Sequence, residues 1–185
     1  MLSGDSHANW AADLTWVDGP EVPEYSPSDG SGAVGVEFAG TAVSAQSIVC
    51  SSFSDTGPAS LSIPECNEVG QSLIADNEVL QWTEGYYRGY YELHISASSL
   101  QARYFGTPTV AANNGFEVSL ANFTVESGAN RISRPIGSVE NGAVRGGGDV
   151  RVSNITIDTQ NPERGYFVHD ERQMYLVVEA SLLGQ

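Results

Sequence analysis

Residues Leu2 to Asp13 read LSGDSHANWAAD. Within them Gly4-Asp5-Ser6-His7 sets a carboxylate and an imidazole two positions apart in one short turn. An apolar residue followed by small residues and Gly4 lets a buried strand end and the backbone bend, so that Asp5 and His7 project from the strand's carboxyl end, where open αβ sheets collect their ligands. A hard oxygen donor beside an imidazole nitrogen is the minimum vocabulary of a metal-assisted hydrolase. Taken alone, Gly-Asp-x-His reads better as an Asx-turn carrying an exposed histidine. The residues around it decide between the two.

The chain has 185 residues, 41% of them apolar, enough for one domain with a sizeable core. No apolar run is long enough to cross a bilayer, and the first residues are too polar for the centre of a signal peptide. Twenty-three acidic against eight basic residues give a formal charge of -15. Such a field repels nucleic-acid phosphates and anionic lipid, which disfavours both as partners. It also repels any anionic substrate, so an enzyme acting on one at this surface must neutralise it locally with cations or a placed arginine. Solubility of a secreted protein accounts for the larger part of the charge.

Cys50 and Cys66 flank a Ser-, Gly- and Pro-rich stretch, SSFSDTGPASLSIPE. A bridge closing a loop of about 15 residues would stabilise the fold by roughly 3 kcal/mol in the chain-entropy model, given an oxidising compartment. Two buried free thiols in a cytosolic protein are the other reading. The sequons Asn122-Phe-Thr124 and Asn154-Ile-Thr156, each weak by itself, agree with secretion, and with the cysteines they favour a secreted, cell-surface or periplasm-like setting.

Period-two alternation and β-branched or aromatic runs bounded by Gly, Asn, Ser and Pro predict strands over Ala11 to Val17, Ala33 to Phe38, Val79 to Trp82, Gly89 to Ile95, Leu100 to Phe105, Phe116 to Val125, Asp149 to Asp158 and Gln173 to Ala180. One short helix is predicted, capped by Asn67, with Glu68 in its first turn, an apolar stripe of Val69, Leu73 and Ile74, and an end at Asn77; Gly70 weakens it. The loop DGPEVPEYSPSDGSG runs over the surface. The class is α+β, dominated by strands.

The block from Leu2 to Leu14 resembles the last metal-binding motif of the PhoD-like alkaline phosphatases and phosphodiesterases, roughly Leu-(Ser/Thr)-Gly-Asp-x-His-x-x-Trp-x-x-Asp-Leu, down to Trp10, Asp13 and Leu14. GVEFAGTAVS at Gly35 to Ser44 is similar to the family's Val-Glu-Phe-x-Gly-Thr block, and YYRGYYELHIS at Tyr86 to Ser96 to its Arg-Gly-Tyr strand, in the same order. Leu100 to Pro135 is similar to the tail of fungal members. The likeness turns the preference at Asp5 and His7 from a bare turn to metal ligands. It implies the last strands of a metallophosphatase αβ sandwich over residues 1–105 and a β-rich C-terminal extension over 106–185. It further implies hydrolysis of a phosphate monoester or diester at a centre of calcium and iron, while the donors themselves equally admit zinc or manganese. The family's upstream ligand motifs have no counterpart here, so the chain reads as a C-terminal fragment whose partner is the missing N-terminal portion of the catalytic domain, and which is inactive alone.

Four further residues are candidates to support the ligands or touch substrate. Asn9 lies near them in the loop, with a turn role favoured over a substrate contact. Asp13 either accepts a hydrogen bond from His7, fixing its tautomer, or is a solvated strand residue. Glu37 interrupts the apolar strand VGVEFAG and either faces solvent or backs the site. Arg88, among four tyrosines in a chain with only eight basic residues, pairs near the ligand loop or grips phosphate, the former narrowly favoured. Trp10 packs behind the loop. His94 reads as a solvated strand residue, His169 as part of a hairpin turn, and Arg131 and Arg134 as ties between a tail loop and acidic neighbours. The rival from another class is a noncatalytic secreted β-rich module, binding or structural, which would account for the tyrosines and the acidity without chemistry.

Overall fold

The computed structural model describes residues 1–16, 24–50, 61–107, 117–136 and 139–146, and the backbone of three strands at 154–157, 166–170 and 173–177. In chain order the elements are β1 (Leu2–Ser3), β2 (Asn9–Leu14), β3 (Gly35–Ala39), α1 (Ile63–Asp76), β4 (Leu80–Glu84), β5 (Arg88–Ile95), β6 (Ser99–Thr107), β7 (Val118–Glu126), β8 (Ala143–Val144), β9 (Asn154–Ile157), β10 (Tyr166–Asp170) and β11 (Gln173–Val177). One sheet runs β1-β3-β2-β4-β8, with β1 parallel to β3 and the other pairs antiparallel. A second, antiparallel, runs β5-β6-β7, and a third β11-β10-β9. The fold is strand-dominated with one helix among the described residues, the class read from the sequence.

Small residues in β2 explain how the layers meet. A strand covered on both faces loses the clean apolar and polar alternation, and β2 is buried along most of its length. Ala11 turns to a cluster with Phe38, Trp82, Tyr104, Leu120 and Phe123, against the β5-β6-β7 sheet. Its neighbour Ala12 turns the other way, to Ile74, Leu80 and Ala143 under α1. The five-stranded sheet is thus the middle layer. Trp82, fully buried, fills the main cluster with ring centroids 4.8 Å from Tyr104 and 5.3 Å from Phe123, and its Nε1 donates to the Asn141 carbonyl at 2.9 Å.

The helix is capped five residues before the predicted cap at Asn67. Ser62 is the N-cap, Pro64 stands in the first turn, and both the backbone N and Oγ of Ser62 donate to Glu65 Oε2, at 2.8 and 2.7 Å. Those two bonds hold the Glu65 carboxyl below its ordinary range. Asn77 ends the helix as predicted. Gly70, unfavourable by propensity, is a packing requirement: a Cβ there would sit 2.8 Å from the Ala143 Cβ and 3.2 Å from Thr83 Cγ2, so its absence lets α1 lie flat on β4 and β8.

Tyr166–Asp170 forms a strand that the sequence reading passed over, and places His169 within β10 rather than in the turn to β11. The predicted ends of the last strands, at 149–153, 158 and 178–180, lie outside the described residues. β6 runs on to Thr107 and pairs along its length with β7. Cys50 and Cys66 are bridged, tying the segment after β3 to the first turns of α1.

Candidate functional site

The Asp5–His7 turn sits between β1 and β2 and is held in an unusual backbone conformation. Ser6 N donates to the Gly4 carbonyl at 2.8 Å across Asp5, whose φ is 71°, and His7 follows at φ 54°. Side chains other than glycine reach this left-handed region at a cost of about 1–3 kcal/mol and stay there only when their surroundings require it. The surroundings are specific. Trp10 Nε1 donates to Ser6 Oγ at 2.7 Å, so the indole expected to pack behind the loop also clasps it. The His7 carbonyl accepts from Thr41 Oγ1 at 3.1 Å and from Arg88 Nη1 at 3.0 Å.

The imidazole of His7 is fixed by a backbone group. Its Nδ1 lies 2.8 Å from the carbonyl oxygen of Gln46. A carbonyl can only accept, so in the neutral ring Nδ1 carries the proton and Nε2 keeps its lone pair. Asp5 is exposed and His7 half-buried.

Behind the turn, Arg88 and Glu84 are almost completely buried. Arg88 spends its two terminal nitrogens on main-chain carbonyls: Nη1 on His7 and on Ala45 at 2.9 Å, Nη2 on Gly85 at 2.7 Å and on Tyr86 at 3.3 Å. Its fork is therefore taken up by backbone and is not presented to a phosphate. Asn9, expected in the loop, is the buried first residue of β2; Oδ1 accepts from Thr41 N at 3.0 Å and Nδ2 donates to Glu84 Oε2 at 3.1 Å. That bracket, rather than a substrate contact, occupies its amide.

Glu84 also receives Tyr86 N at 2.6 Å, Tyr87 N at 3.0 Å and Asn141 Nδ2 at 3.4 Å. Burial pushes its carboxyl above the usual range, against the pull of these donors and of Arg88. The folded carboxyl keeps its proton to higher pH than the unfolded one does. Glu84 therefore supports folding in acid, and that support is lost as pH rises through its folded value. Glu84→Gln stays neutral. We expect it to reduce the stability gained on going from neutrality towards the ordinary glutamate value of about 4.3, measured by urea unfolding at paired pH values. An unchanged pH slope would contradict the assignment.

Asp13 belongs elsewhere. It is fully buried four residues further along β2, about 13 Å at strand rise. Its Oδ1 accepts from Ile132 N at 2.9 Å; its Oδ2 accepts from Tyr25 Oη at 2.9 Å and pairs with Arg134 Nη2 at 2.6 Å. Neither reading from the sequence survives: the side chain is not solvated, and its bonds go to two loops and not to His7. Arg134 does tie its loop to an acidic neighbour. Glu37 is half-buried and accepts from Ser3 Oγ at 2.6 Å, which bonds β3 to β1 beside the turn. His94 is exposed on β5. Asn122 is exposed on β7; Asn154 opens β9.

Three contributors were missed: Thr41, Gln46 and Glu84. Glu84 carried a signal, a charge closing the strand LQWTE just before Gly85. Gln46 carried none, because its part is played by a main-chain oxygen.

As metal donors, the exposed Asp5 carboxylate and the bare Nε2 of His7 have the right chemistry. Among the described residues no group of three His, Cys, Asp or Glu side chains gathers to hold an ion, so these two fit as part of a ligand set and not as a whole one. The chain is similar to the solved structure of PhoD, at 21% sequence identity and a TM-score of 0.48, over 80% of this chain and 23% of that one. It thus spans under a quarter of the length of that relative. No curated protein matches it. The family model for PhoD-like phosphatase matches residues 1–104, which include the Asp5–His7 turn, Thr41, Gln46, Glu84 and Arg88 and make up more than half of the sequence, and the chain belongs to that family.

Proposed function

We propose that these residues are the part of a metal-dependent phosphoesterase that contributes Asp5 and His7 to its ion site. The observation that carries this reading is the state of His7: Nδ1 bonded to the Gln46 carbonyl, Nε2 bare, in a turn kept at positive φ beside an exposed carboxylate. Surroundings that fix one imidazole nitrogen are how proteins prepare the other as a ligand. The bound ion would polarise a phosphoryl oxygen and lower the pKa of a water. This chain's own share is to offer two donors and hold them still.

The substrate class is a phosphate monoester or diester. Calcium with iron is the pairing that family likeness favours, and an oxygen plus nitrogen donor pair also accommodates zinc or manganese. The remaining ligands would come from upstream sequence of the catalytic domain. A secreted setting is supported by the bridge between Cys50 and Cys66 and by the exposure of Asn122 in its sequon.

The test is hydrolysis of a chromogenic phosphodiester by the longer protein. His7→Ala and Asp5→Ala should each reduce it to background with little change in thermal stability, while the 185-residue chain alone shows negligible activity. Full activity in either variant would refute the ligand assignment and leave a noncatalytic β-rich module as the reading.

A further inference from the structure

The segment from Thr41 to Cys50 has no regular secondary structure, yet Thr41, Ala42, Ala45, Gln46 and Cys50 are each bonded to the elements around it. Thr41 N donates to Asn9 Oδ1 and Thr41 Oγ1 to the His7 carbonyl. Gly89 N donates to the Ala42 carbonyl at 3.2 Å. Arg88 Nη1 binds the carbonyls of His7 and Ala45 together, so one nitrogen joins the segment to the turn. The Gln46 carbonyl then accepts a hydrogen bond from His7 Nδ1. Ser47 Oγ accepts from Val49 N at 3.2 Å and Cys50 N at 3.3 Å, and the segment ends in the disulfide to α1. Gly85 makes room for that end: a Cβ there would lie 2.8 Å from Cys50 Sγ.

We propose that Thr41–Cys50 is a positioning strap for His7, clamped by Arg88 in its middle and by the Cys50–Cys66 bridge at its end, whose effect is to hold the neutral imidazole in the tautomer with its proton on Nδ1. The physical argument is one of tolerance. A hydrogen bond weakens steeply when its angle or distance drifts, and a main-chain carbonyl in an irregular segment drifts unless the segment is fixed on both sides of it. An imidazole released from such a partner carries its proton mainly on Nε2 in water, the form that cannot bind an ion through that atom. Arg88 is here a positioning residue: its terminal nitrogens act on main-chain carbonyls. The bridge makes the arrangement dependent on an oxidising compartment.

The inference rests on His7 being a ligand, but its test needs neither ion nor activity. The oxidised, metal-free 185-residue chain has only three histidines, so its ring nitrogens can be resolved by long-range proton–nitrogen correlation at a pH of about 8, above the ordinary histidine range. His7 should show Nδ1 protonated and Nε2 bare, with exposed His94 as the internal reference for an untethered ring. In Arg88→Lys, and separately in the Cys50→Ser, Cys66→Ser double variant, the Nε2 signal of His7 should move from the bare range to the protonated range, so that the Nε2–H form becomes the major one. The Trp82 indole signal, from the buried core, should stay in place and report that the fold is intact. The double serine variant decides the matter if Arg88→Lys fails to fold. A protonated Nε2 in the unaltered chain overturns the proposal outright, and so does either variant, folded, with the His7 tautomer unchanged. If the strap passes and hydrolysis by the longer protein is indifferent to His7, the ligand reading fails alone.

Discussion

Asp13→Ala is expected to destabilise the fold by about 3 to 5 kcal/mol, because it leaves a guanidinium buried without its counter-charge. Asp13 is fully buried, and the side chain of Arg134 is 9% exposed. Desolvation makes such a pair a poor source of net stability compared with apolar residues of the same volume, but removing one partner forfeits the Coulombic term while the other charge stays buried. The loss reaches further than one bond. Asp13 also takes the Tyr25 hydroxyl and the Ile132 amide, so its truncation frees two separate loops from β2. Burial and the neighbouring Asp13 both push the Tyr25 phenol far above its ordinary range, so it stays a donor at any pH of interest. Gly30, at φ 74°, lets that loop come close, since a Cβ there would meet Arg134 Nη1 at 2.7 Å. Urea unfolding of Asp13→Ala, Arg134→Met and the double variant Asp13→Leu, Arg134→Met checks the account. Each single change should be costly, and the double should recover part of the loss. A cost below about 1 kcal/mol for Asp13→Ala would contradict the burial of an ion pair.

Gly89→Ala is expected to be as severe, about 3 kcal/mol or more, for a steric reason. A Cβ at Gly89 would lie 2.0 Å from the Phe105 carbonyl oxygen and 3.0 Å from the Gly106 Cα, both backbone atoms of the partner strand. Gly89 pairs with Gly106 in the ladder between β5 and β6, and Gly106 in turn leaves room for Tyr87, whose Cβ is 2.8 Å from where its own would be. No rotamer relieves a clash with main chain, so β5 and β6 must separate there. The residue before Gly89 is Arg88, so the same displacement pulls on the His7 carbonyl. Unfolding midpoints for Gly89→Ala against Gly128→Ala separate this from a general glycine effect, because a Cβ at Gly128 meets nothing within 4 Å although its φ of 78° carries its own strain. Equal losses at the two positions would contradict the close approach.

What could be read from the chain follows from where each signal resides. The turn that carries Asp5 and His7 was legible because Gly4 announced it. Most strands were legible from alternation, and Asn77 marked the helix end. The helix start was misplaced although Ser62-Ile63-Pro64-Glu65 has the capping spacing, since Asn67 with Glu68 offered a similar signal nearer the apolar stripe. Asp13 was misread because its partner stands 121 residues away, and such pairs leave no local pattern. Arg88 was singled out by scarcity, but that its fork ends on backbone carbonyls could not be read, since a carbonyl has no residue type. Gln46 was unreadable for the same reason. Gly89 was visible within Arg-Gly-Tyr, but its purpose appears only once the partner strand is in place.

The central claim is that His7 Nε2 and the Asp5 carboxylate bind an ion. Anomalous diffraction from crystals of the longer protein grown with its metals tests it most directly. The account predicts an ion about 2.0 to 2.2 Å from His7 Nε2 when it is of the transition series, with an Asp5 oxygen about 2.0 to 2.6 Å from the same or an adjoining ion. Ions held wholly by other residues, with His7 Nε2 donating a hydrogen bond instead, would contradict it.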